Sequence, residues 1–246
     1  MDTATMSTAN PTDRGPSREN VASMFDRIAG RYDLLNHLLS ANRDRSWRAR
    51  MISHLPPGNE LHVLDLATGT ADQLLALYDS GRLRGGIGLD PAEQMLSIGR
   101  KKIAGRMLDS VLRLEKGRAE RLPFDDNVFD AVTISFGIRN VSDVSTSLQE
   151  MRRVLKPGGR ALILEFSLPS NSVLRRVYLW YFRSVLPRLG GIISGDRTAY
   201  RYLNRSVESF PYGEEFLGLL RAAGFSAPEQ YPLTYGIATL YRADKK

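Results

Sequence analysis

Three features of this 246-residue chain predict an α/β fold, a mostly parallel sheet with helices on both faces. Apolar runs of strand length alternate with segments of helical spacing, and parallel strands need such crossovers. The runs are apolar almost throughout, Leu61-His62-Val63-Leu64-Asp65-Leu66 foremost, as in strands buried on both faces. Pro and Gly clusters such as Pro56-Pro57-Gly58 and Pro157-Gly158-Gly159 separate the alternating units.

Residues 1–18 lack an apolar run and read as a disordered tail. Val21, Phe25, Ile28, Tyr32, Leu35 and Leu39 have helical spacing, and a short second helix holds Trp47 and Met51 before Pro56-Pro57-Gly58 stops it. Leu61 to Leu66 is the first strand, followed by a helix from about Asp72 to Tyr78. Gly86 to Asp90 is the second strand, and a helix through Met95 and Ile98 follows it. The third and fourth strands are Val111–Leu114 and Phe129–Ile134. A helix from Val144 to Leu155 ends at Lys156-Pro157-Gly158-Gly159, and Arg160–Phe166 is the fifth strand. A helix from Phe216 to Ala223 stops at Gly224, and strands around Ala227–Tyr231 and Gly236–Tyr241 bring the total to seven. These elements predict one domain over 19–246, with N-terminal helices in 19–55. Ser167 to Phe210 interrupts the alternation with helical, aromatic-rich sequence, and is expected to cap the active site as an insertion over the sheet's carboxyl edge. Ligands of such sheets bind at that edge, where the strand order reverses.

The composition excludes several classes. With no cysteine there is no disulfide scaffold, Cys-ligated metal site or thiolate nucleophile. No run of about 18 apolar residues offers a membrane span, and the N-terminus lacks the apolar core of a secretory signal, so the expected compartment is the cytoplasm. The formal net charge is +7, and its distribution is uneven. Arg175, Arg176, Arg183, Arg188, Arg197, Arg201 and Arg205 face a single acid, Asp196, between Ser172 and Arg205. A solvated helix face accounts for such a cluster as well as contact with anionic lipid, nucleic acid or an acidic substrate does.

Val63-Leu64-Asp65-Leu66-Ala67-Thr68-Gly69-Thr70-Ala71-Asp72 reads as a strand, a turn of small residues and a helix start. Small residues allow close approach to the backbone, and a helix N-terminus favours an anion. Of the G-x-G-x-x-G pattern that a dinucleotide site wants, only Gly69 is present. The turn resembles the D-x-A/G-x-G-x-G loop of class I S-adenosylmethionine methyltransferases, Rossmann-like proteins with a seven-stranded sheet whose last strand is antiparallel. The resemblance implies a cofactor loop built from Asp65, Gly69 and Thr70, with Ala71 in place of the final glycine. Asp90 ends the second strand twenty residues after Thr70, where a carboxylate can accept both ribose hydroxyls; capping the next helix, with Pro91 as its first residue, is the structural alternative. Gly117-Arg118-Ala119-Glu120-Arg121-Leu122-Pro123-Phe124 resembles the segment that edges the adenine, with Arg118 where Asn is frequent and Ala119 offering its backbone. Ser135, ending the fourth strand, faces the same pocket.

Tyr32-Asp33-Leu34-Leu35-Asn36-His37-Leu38-Leu39-Ser40 with Trp47-Arg48, Ser135-Phe136-Gly137-Ile138-Arg139-Asn140-Val141, and Arg153 through Ser167 closely resemble the UbiE/MenG family of quinone C-methyltransferases. The likeness runs from Val21 to Tyr241. It implies methyl transfer from S-adenosylmethionine to a ring carbon of a prenylated quinol: demethylmenaquinol or, in some members, a methoxy-polyprenyl-benzoquinol. Leu35 replaces a usual Met and Asp44 a common His.

A quinol carbon is a poor nucleophile until a hydroxyl, with a pKa near 10, ionises beside a cation. Arg139 is the candidate clamp and Asn140 its hydrogen-bonding partner, with Tyr32 and Asp72 as candidates for positioning substrate or relaying a proton. The structural alternatives are a surface ion pair for Arg139 and a helix-start charge for Asp72. Glu165 at the end of the fifth strand is a further candidate for substrate contact. His37, His54 and His62 lack metal-ligand spacing, so no metal is expected, and His62 reads as a core or edge residue. The arginine- and aromatic-rich helix Val173–Arg183 predicts peripheral binding to an anionic membrane surface, on the inner face of the cytoplasmic membrane. A nucleic-acid methyltransferase is disfavoured by the absence of an Asn/Asp-Pro-Pro-aromatic motif and of cysteine. A non-catalytic cofactor-binding protein remains a rival reading, and the oligomeric state is open, with a homodimer among the options.

Overall fold

The computed structural model describes residues 21–40, 42–185 and 197–246. The expected tail and Arg188 lie outside the described residues. The chain runs α1 (Val21–Leu39), α2 (Arg43–Ile52), β1 (Leu61–Leu66), α3 (Asp72–Asp79), β2 (Leu83–Asp90), α4 (Glu93–Ala104), β3 (Leu112–Lys116) and β4 (Phe129–Ser135). A 3₁₀ turn (Ile138–Asn140) leads to α5 (Val144–Val154) and β5 (Leu155–Phe166). There follow α6 (Ser172–Trp180), a π-helical turn (Tyr181–Val185), α7 (Arg197–Ser209), α8 (Glu214–Ala222), β6 (Ser226–Leu233) and β7 (Ala238–Asp244).

The seven strands form one sheet in the order β3-β2-β1-β4-β5-β7-β6. Strands β1 to β5 pair in parallel, and β7 runs antiparallel between β5 and β6. The order reverses between β1 and β4, so a crevice opens there at the carboxyl edge.

Helices cover both faces. On one, Leu148, Met151 and Val154 of α5 and Phe216, Leu217 and Leu220 of α8 pack against Leu64, Leu66, Val132 and Ile163. On the other, Trp47 and Met51 of α2 and Leu77 of α3 meet Val63, Ala131, Leu162 and Leu240. Each fully buried Leu contributes roughly 1.5–3 kcal/mol, which explains the continuous apolar runs of the central strands.

Several boundaries differ from expectation by a few residues, and two of the differences have a clear physical cause. β5 begins at Leu155, so Lys156-Pro157-Gly158-Gly159 lies in the strand rather than outside it. The backbone explains this: Gly158 N–H donates to Lys245 O at 2.7 Å and Lys245 N–H to Gly159 O at 2.9 Å, while pairing with β4 shifts register between Phe129 and Ala131. Tertiary partners there override the turn propensity of Pro-Gly-Gly. α4 begins at Glu93 rather than Pro91, because Asp90 Oδ1 accepts Ala92 N–H at 2.8 Å and holds the intervening residues in a turn.

Described parts of the insertion pack beside the carboxyl ends of β4 and β5. Phe182 and Val207 are buried together, with Phe166, Tyr178 and Leu203 packed against them. Asn204 Nδ2 donates to Phe182 O at 2.6 Å, tying α7 to the π-helical turn.

Candidate active site

An open cavity occupies the crevice. Four chain segments and one helix wall it.

The turn after β1 forms the floor. Ala67, Gly69 and Ala71 have φ of +48°, +57° and +67°. For the two alanines this left-handed conformation costs on the order of 1–2 kcal/mol each. Hydrogen bonds offset the cost: Thr68 N–H to Leu89 O (3.2 Å), Ala71 N–H to Thr68 O (2.9 Å) and Thr68 Oγ1 to Asp65 Oδ2 (2.7 Å). Ala71 therefore keeps the backbone shape that the replaced glycine would adopt.

Asp90 stands over this turn at the end of β2, 7% exposed and in the cavity wall. Its Oδ2 accepts Gly69 N–H at 2.9 Å and its Oδ1 accepts Ala92 N–H. Burial pushes its carboxyl up to about 6 even though both N–H groups favour the charged form. Each carboxylate oxygen keeps acceptor capacity beyond its one bond.

Gly117 to Glu120 follow β3 and form a third wall. Glu120 Oε1 accepts Ser142 N–H at 2.6 Å. Burial raises the Glu120 carboxyl, but the N–H groups of Glu120 and Ser142 and the Arg118 guanidinium outweigh it and leave it below its ordinary value. Arg118 donates to Ser142 Oγ.

Ser135 to Val141 after β4 complete the ring of turns. Ser135 Oγ donates to Gln73 Oε1 at 3.1 Å, and Phe136 (φ +57°) packs its ring 4.5 Å from Phe166. Asn140 Nδ2 donates to Phe136 O at 3.3 Å, and Asn140 Oδ1 accepts the Tyr202 hydroxyl at 3.1 Å. Gly137 is required here: a Cβ on it would stand 2.4 Å from Ala67 Cβ, across the floor.

Helix α1 closes the remaining side with Val21, Ala22, Phe25 and Tyr32. It is pinned at two points. Asp26 Oδ1 accepts Gln94 N–H at 2.8 Å, at the start of α4. Lys102 Nζ donates to both Asp33 Oδ2 and Asp72 Oδ1 at 2.6 Å, and Asp33 Oδ1 accepts Thr70 Oγ1 at 2.6 Å.

The structure brings Gly69, Asp90, Arg118, Ala119, Ser135, Asn140 and Tyr32 into one cavity wall. Five expected residues lie elsewhere. Asp65 is 1% exposed beneath the floor, its carboxylate accepting Thr68 and Thr133 hydroxyls; it shapes the turn rather than facing the cavity, and burial raises it to about 6. Thr70 is buried against Asp33. Asp72 pairs with Lys102 at the start of α3, outside the wall, so its charge serves the α1–α3–α4 junction.

Arg139 and Glu165 form a buried pair instead of reaching the cavity. Arg139 Nη1 lies 2.6 Å from Glu165 Oε1, with the two side chains 6% and 1% exposed. The same nitrogen donates to Phe136 O at 2.7 Å. Burial raises the Glu165 carboxyl while Arg139 opposes the shift. Arg139 is thus a paired, buried cation outside the cavity wall rather than a free group facing it. Arg139 Nε, also buried, has no hydrogen-bond partner. His62 is half-buried against Phe129, near the start of the central strand β1. Asp44 is buried and accepts the Ser40 hydroxyl at 2.7 Å.

Sequence reasoning missed Glu120, Tyr202, Gln73 and Lys102. Glu120 lay inside a quoted motif, and its role depends on Ser142, which only the fold brings near. Tyr202 belongs to an insertion whose docking register no local pattern gives.

Residues 13–245 match the ubiE/COQ5 methyltransferase family. The chain belongs to that family. A Geobacter sulfurreducens protein named ubiquinone/menaquinone biosynthesis C-methyltransferase UbiE is 45% identical, covering 92% of this chain and 89% of its own. A Thermus thermophilus demethylmenaquinone methyltransferase is 46% identical over 90% of this chain and 100% of its own. A Bacteroides fragilis protein of the same name is 40% identical over 94% of each chain. Among solved structures, a SAM-dependent methyltransferase from Thermotoga maritima superposes with TM-score 0.64 at 22% identity, covering 91% of this chain and 99% of that one. The [4+2]-cyclase SpnF has TM-score 0.66 at 17% identity, covering 94% and 97%. That a cyclase shares the architecture means the fold alone does not fix the reaction.

S-adenosylmethionine is the cofactor that this family and fold imply, and the residues present fit it. A desolvated carboxylate with spare acceptor capacity suits a pair of ribose hydroxyls, and the Gly69 turn leaves its backbone open beside the Tyr32 ring.

Proposed function

We propose that the protein transfers a methyl group from S-adenosylmethionine to a ring carbon of a prenylated quinol, converting demethylmenaquinol to menaquinol. The observation that carries this reading is membership of the ubiE/COQ5 family over nearly the whole chain, with relatives named demethylmenaquinone methyltransferase matched over nine-tenths of its length. The buried Asp90 beside the Gly69 turn supports the same cofactor independently.

The cofactor supplies an electrophilic methyl group on a sulfonium. Asp90 would hold the ribose hydroxyls, Gly69 and Tyr32 would flank the methionine part, and Ala119 with Arg118 would edge the adenine. The quinol carbon must approach from the side of Phe136, Asn140 and the insertion. There a phenolic hydroxyl must ionise so that the adjacent carbon gains electron density, and that carbon must later lose its hydrogen as a proton. An amide carries two N–H donors. One Asn140 Nδ2 hydrogen goes to Phe136 O, and the other is available to a quinol oxygen. Arg139 and Glu165 would act as positioning residues, holding the Phe136 carbonyl against which Asn140 is set. A Phe166 ring 5.3 Å from the Arg139 guanidinium secures that charge within the fold.

A substrate with a prenyl tail would bring the enzyme to a membrane surface. Among the described residues no helix is long and apolar enough to cross a membrane, so contact would be peripheral. The benzoquinol of ubiquinone synthesis is the second reading, favoured by the dual name of the Geobacter sulfurreducens relative.

The test is incubation of the protein with methyl-labelled S-adenosylmethionine and either demethylmenaquinol or a 2-methoxy-6-polyprenyl-benzoquinol. Label in the lipid extract with the first supports the proposal, label only with the second selects the alternative, and label with neither overturns both.

A further inference from the structure

Helix α6 presents an apolar face that nothing in the described structure covers. Val173, Leu174, Val177 and Trp180 are 66%, 41%, 58% and 62% exposed. Among the described residues only Met107 and Tyr235 are also large, hydrophobic and exposed. Scattered exposed apolar side chains are ordinary, but four on one nine-residue helix are not. Their spacing, i, i+1, i+4 and i+7, sets them on one arc of roughly 120°. The helix is firmly based. Asn171 Oδ1 caps it by accepting Val173 and Leu174 N–H at 3.0 and 3.1 Å. On its inner side Tyr178 stacks on buried Phe182, centroids 5.1 Å apart, and Phe182 packs with Phe166 at the end of β5.

Charge selects the occupant. Arg176 stands exposed beside the apolar arc while Arg175 is exposed on the other side of the helix, no acid lies in the helix, and the aliphatic stem of Arg176 lets its guanidinium reach headgroup phosphates. A second copy docking the same face across a two-fold axis would bring arginines against arginines. An anionic bilayer offers hydrocarbon for the arc and negative charge for its flank.

We infer that α6 is an interfacial helix that lies in the headgroup layer of an anionic bilayer, with Val173, Val177 and Trp180 at the acyl boundary and Arg176 on lipid phosphates. The inference deepens the membrane setting of the proposed function by naming the surface, but its test involves no turnover, so either can fail without the other.

The test uses the full chain and vesicles of phosphatidylcholine with or without phosphatidylglycerol. The chain has two tryptophans, and Trp47 is buried at 3% exposure, so bromine-labelled lipid should quench Trp180 alone. Quenching on anionic vesicles, weakened by salt, supports the inference. Val177→Glu is expected to weaken flotation by at least about tenfold, comparable to one lost apolar anchor, with affinity for S-adenosylhomocysteine unchanged as proof of folding. Arg176→Ala should weaken the preference for anionic over neutral vesicles. Absence of quenching at low salt, or Val177→Glu floating like the parent protein, overturns the inference. So does a dimer by sedimentation that Val177→Glu dissociates while flotation persists, since the face would then belong to a second copy.

Discussion

The Tyr202 hydroxyl donates to Asn140 Oδ1 at 3.1 Å, and this bond joins the insertion to the turn that follows β4. Tyr202 sits on α7, its ring among Val21, Met24, Phe25 and Ile28 of α1, while Asn140 lines the cavity. Holding Oδ1 fixes which end of the amide faces Phe136 O and which N–H remains for a substrate oxygen. Tyr202→Phe keeps the ring and removes the bond. Turnover is expected to fall about tenfold, the worth of one hydrogen bond made in the transition state. Affinity for S-adenosylhomocysteine by calorimetry should stay within twofold. Loss of affinity with unchanged turnover would refute this role.

Buried charge makes a second prediction at Arg139 and Glu165. Glu165→Gln removes one charge and strands the other, so urea unfolding should show a loss of about 3–5 kcal/mol. Replacing both, as Arg139→Met with Glu165→Leu, should recover most of that stability by leaving no uncompensated charge. Turnover should not recover with it, because the Phe136 carbonyl loses its anchor. Recovery of turnover in the double variant would show that the pair serves stability alone.

Cofactor affinity should depend on pH through Asp90. Burial raises its carboxyl from 3.8 to about 6 in the free protein. The folded state then binds more protons than the unfolded chain between those values, so this group's contribution to stability falls as pH rises through that window. Ribose hydroxyls donate to the carboxylate and favour its charged form. Binding should therefore release a proton near pH 6, and affinity should rise with pH up to that point and flatten above it. Calorimetry in buffers of different ionisation enthalpy measures the release. Asp65, raised to a similar value, is bonded only beneath the floor. Asp90→Asn should thus abolish the release and weaken binding by about ten- to a hundredfold, roughly 1.4–3 kcal/mol.

Gly137 offers a steric test of the floor. A methyl group there would stand 2.4 Å from Ala67 Cβ, so one of the two turns must move. Gly137→Ala should destabilise the fold by about 1–3 kcal/mol and raise the dissociation constant for S-adenosylhomocysteine. Gly218, where a Cβ would meet nothing within 4 Å, is the control, and Gly218→Ala should leave binding unchanged.

What the sequence determined by itself was the sheet and its ligand edge. Leu61 to Leu66 could be read as a central strand because burial on both faces demands apolar residues at every position, a signal local to the segment. Asp90 and Gly69 could be placed in the site for a related reason: a strand end and the turn beside it define the crevice. Tertiary structure alone decided where the charges go. Arg139 and Asp72 read as available ionic groups until Glu165 and Lys102, 26 and 30 residues away in sequence, were brought to 2.6 Å. Asp65 stood at a ligand-facing position in the motif, yet Thr133 from the neighbouring strand takes its carboxylate below the floor. Backbone pattern follows local sterics and hydrophobic period, so a sequence displays it. Desolvation requires each buried charge to find its partner, and that partner is set by how distant segments meet in space.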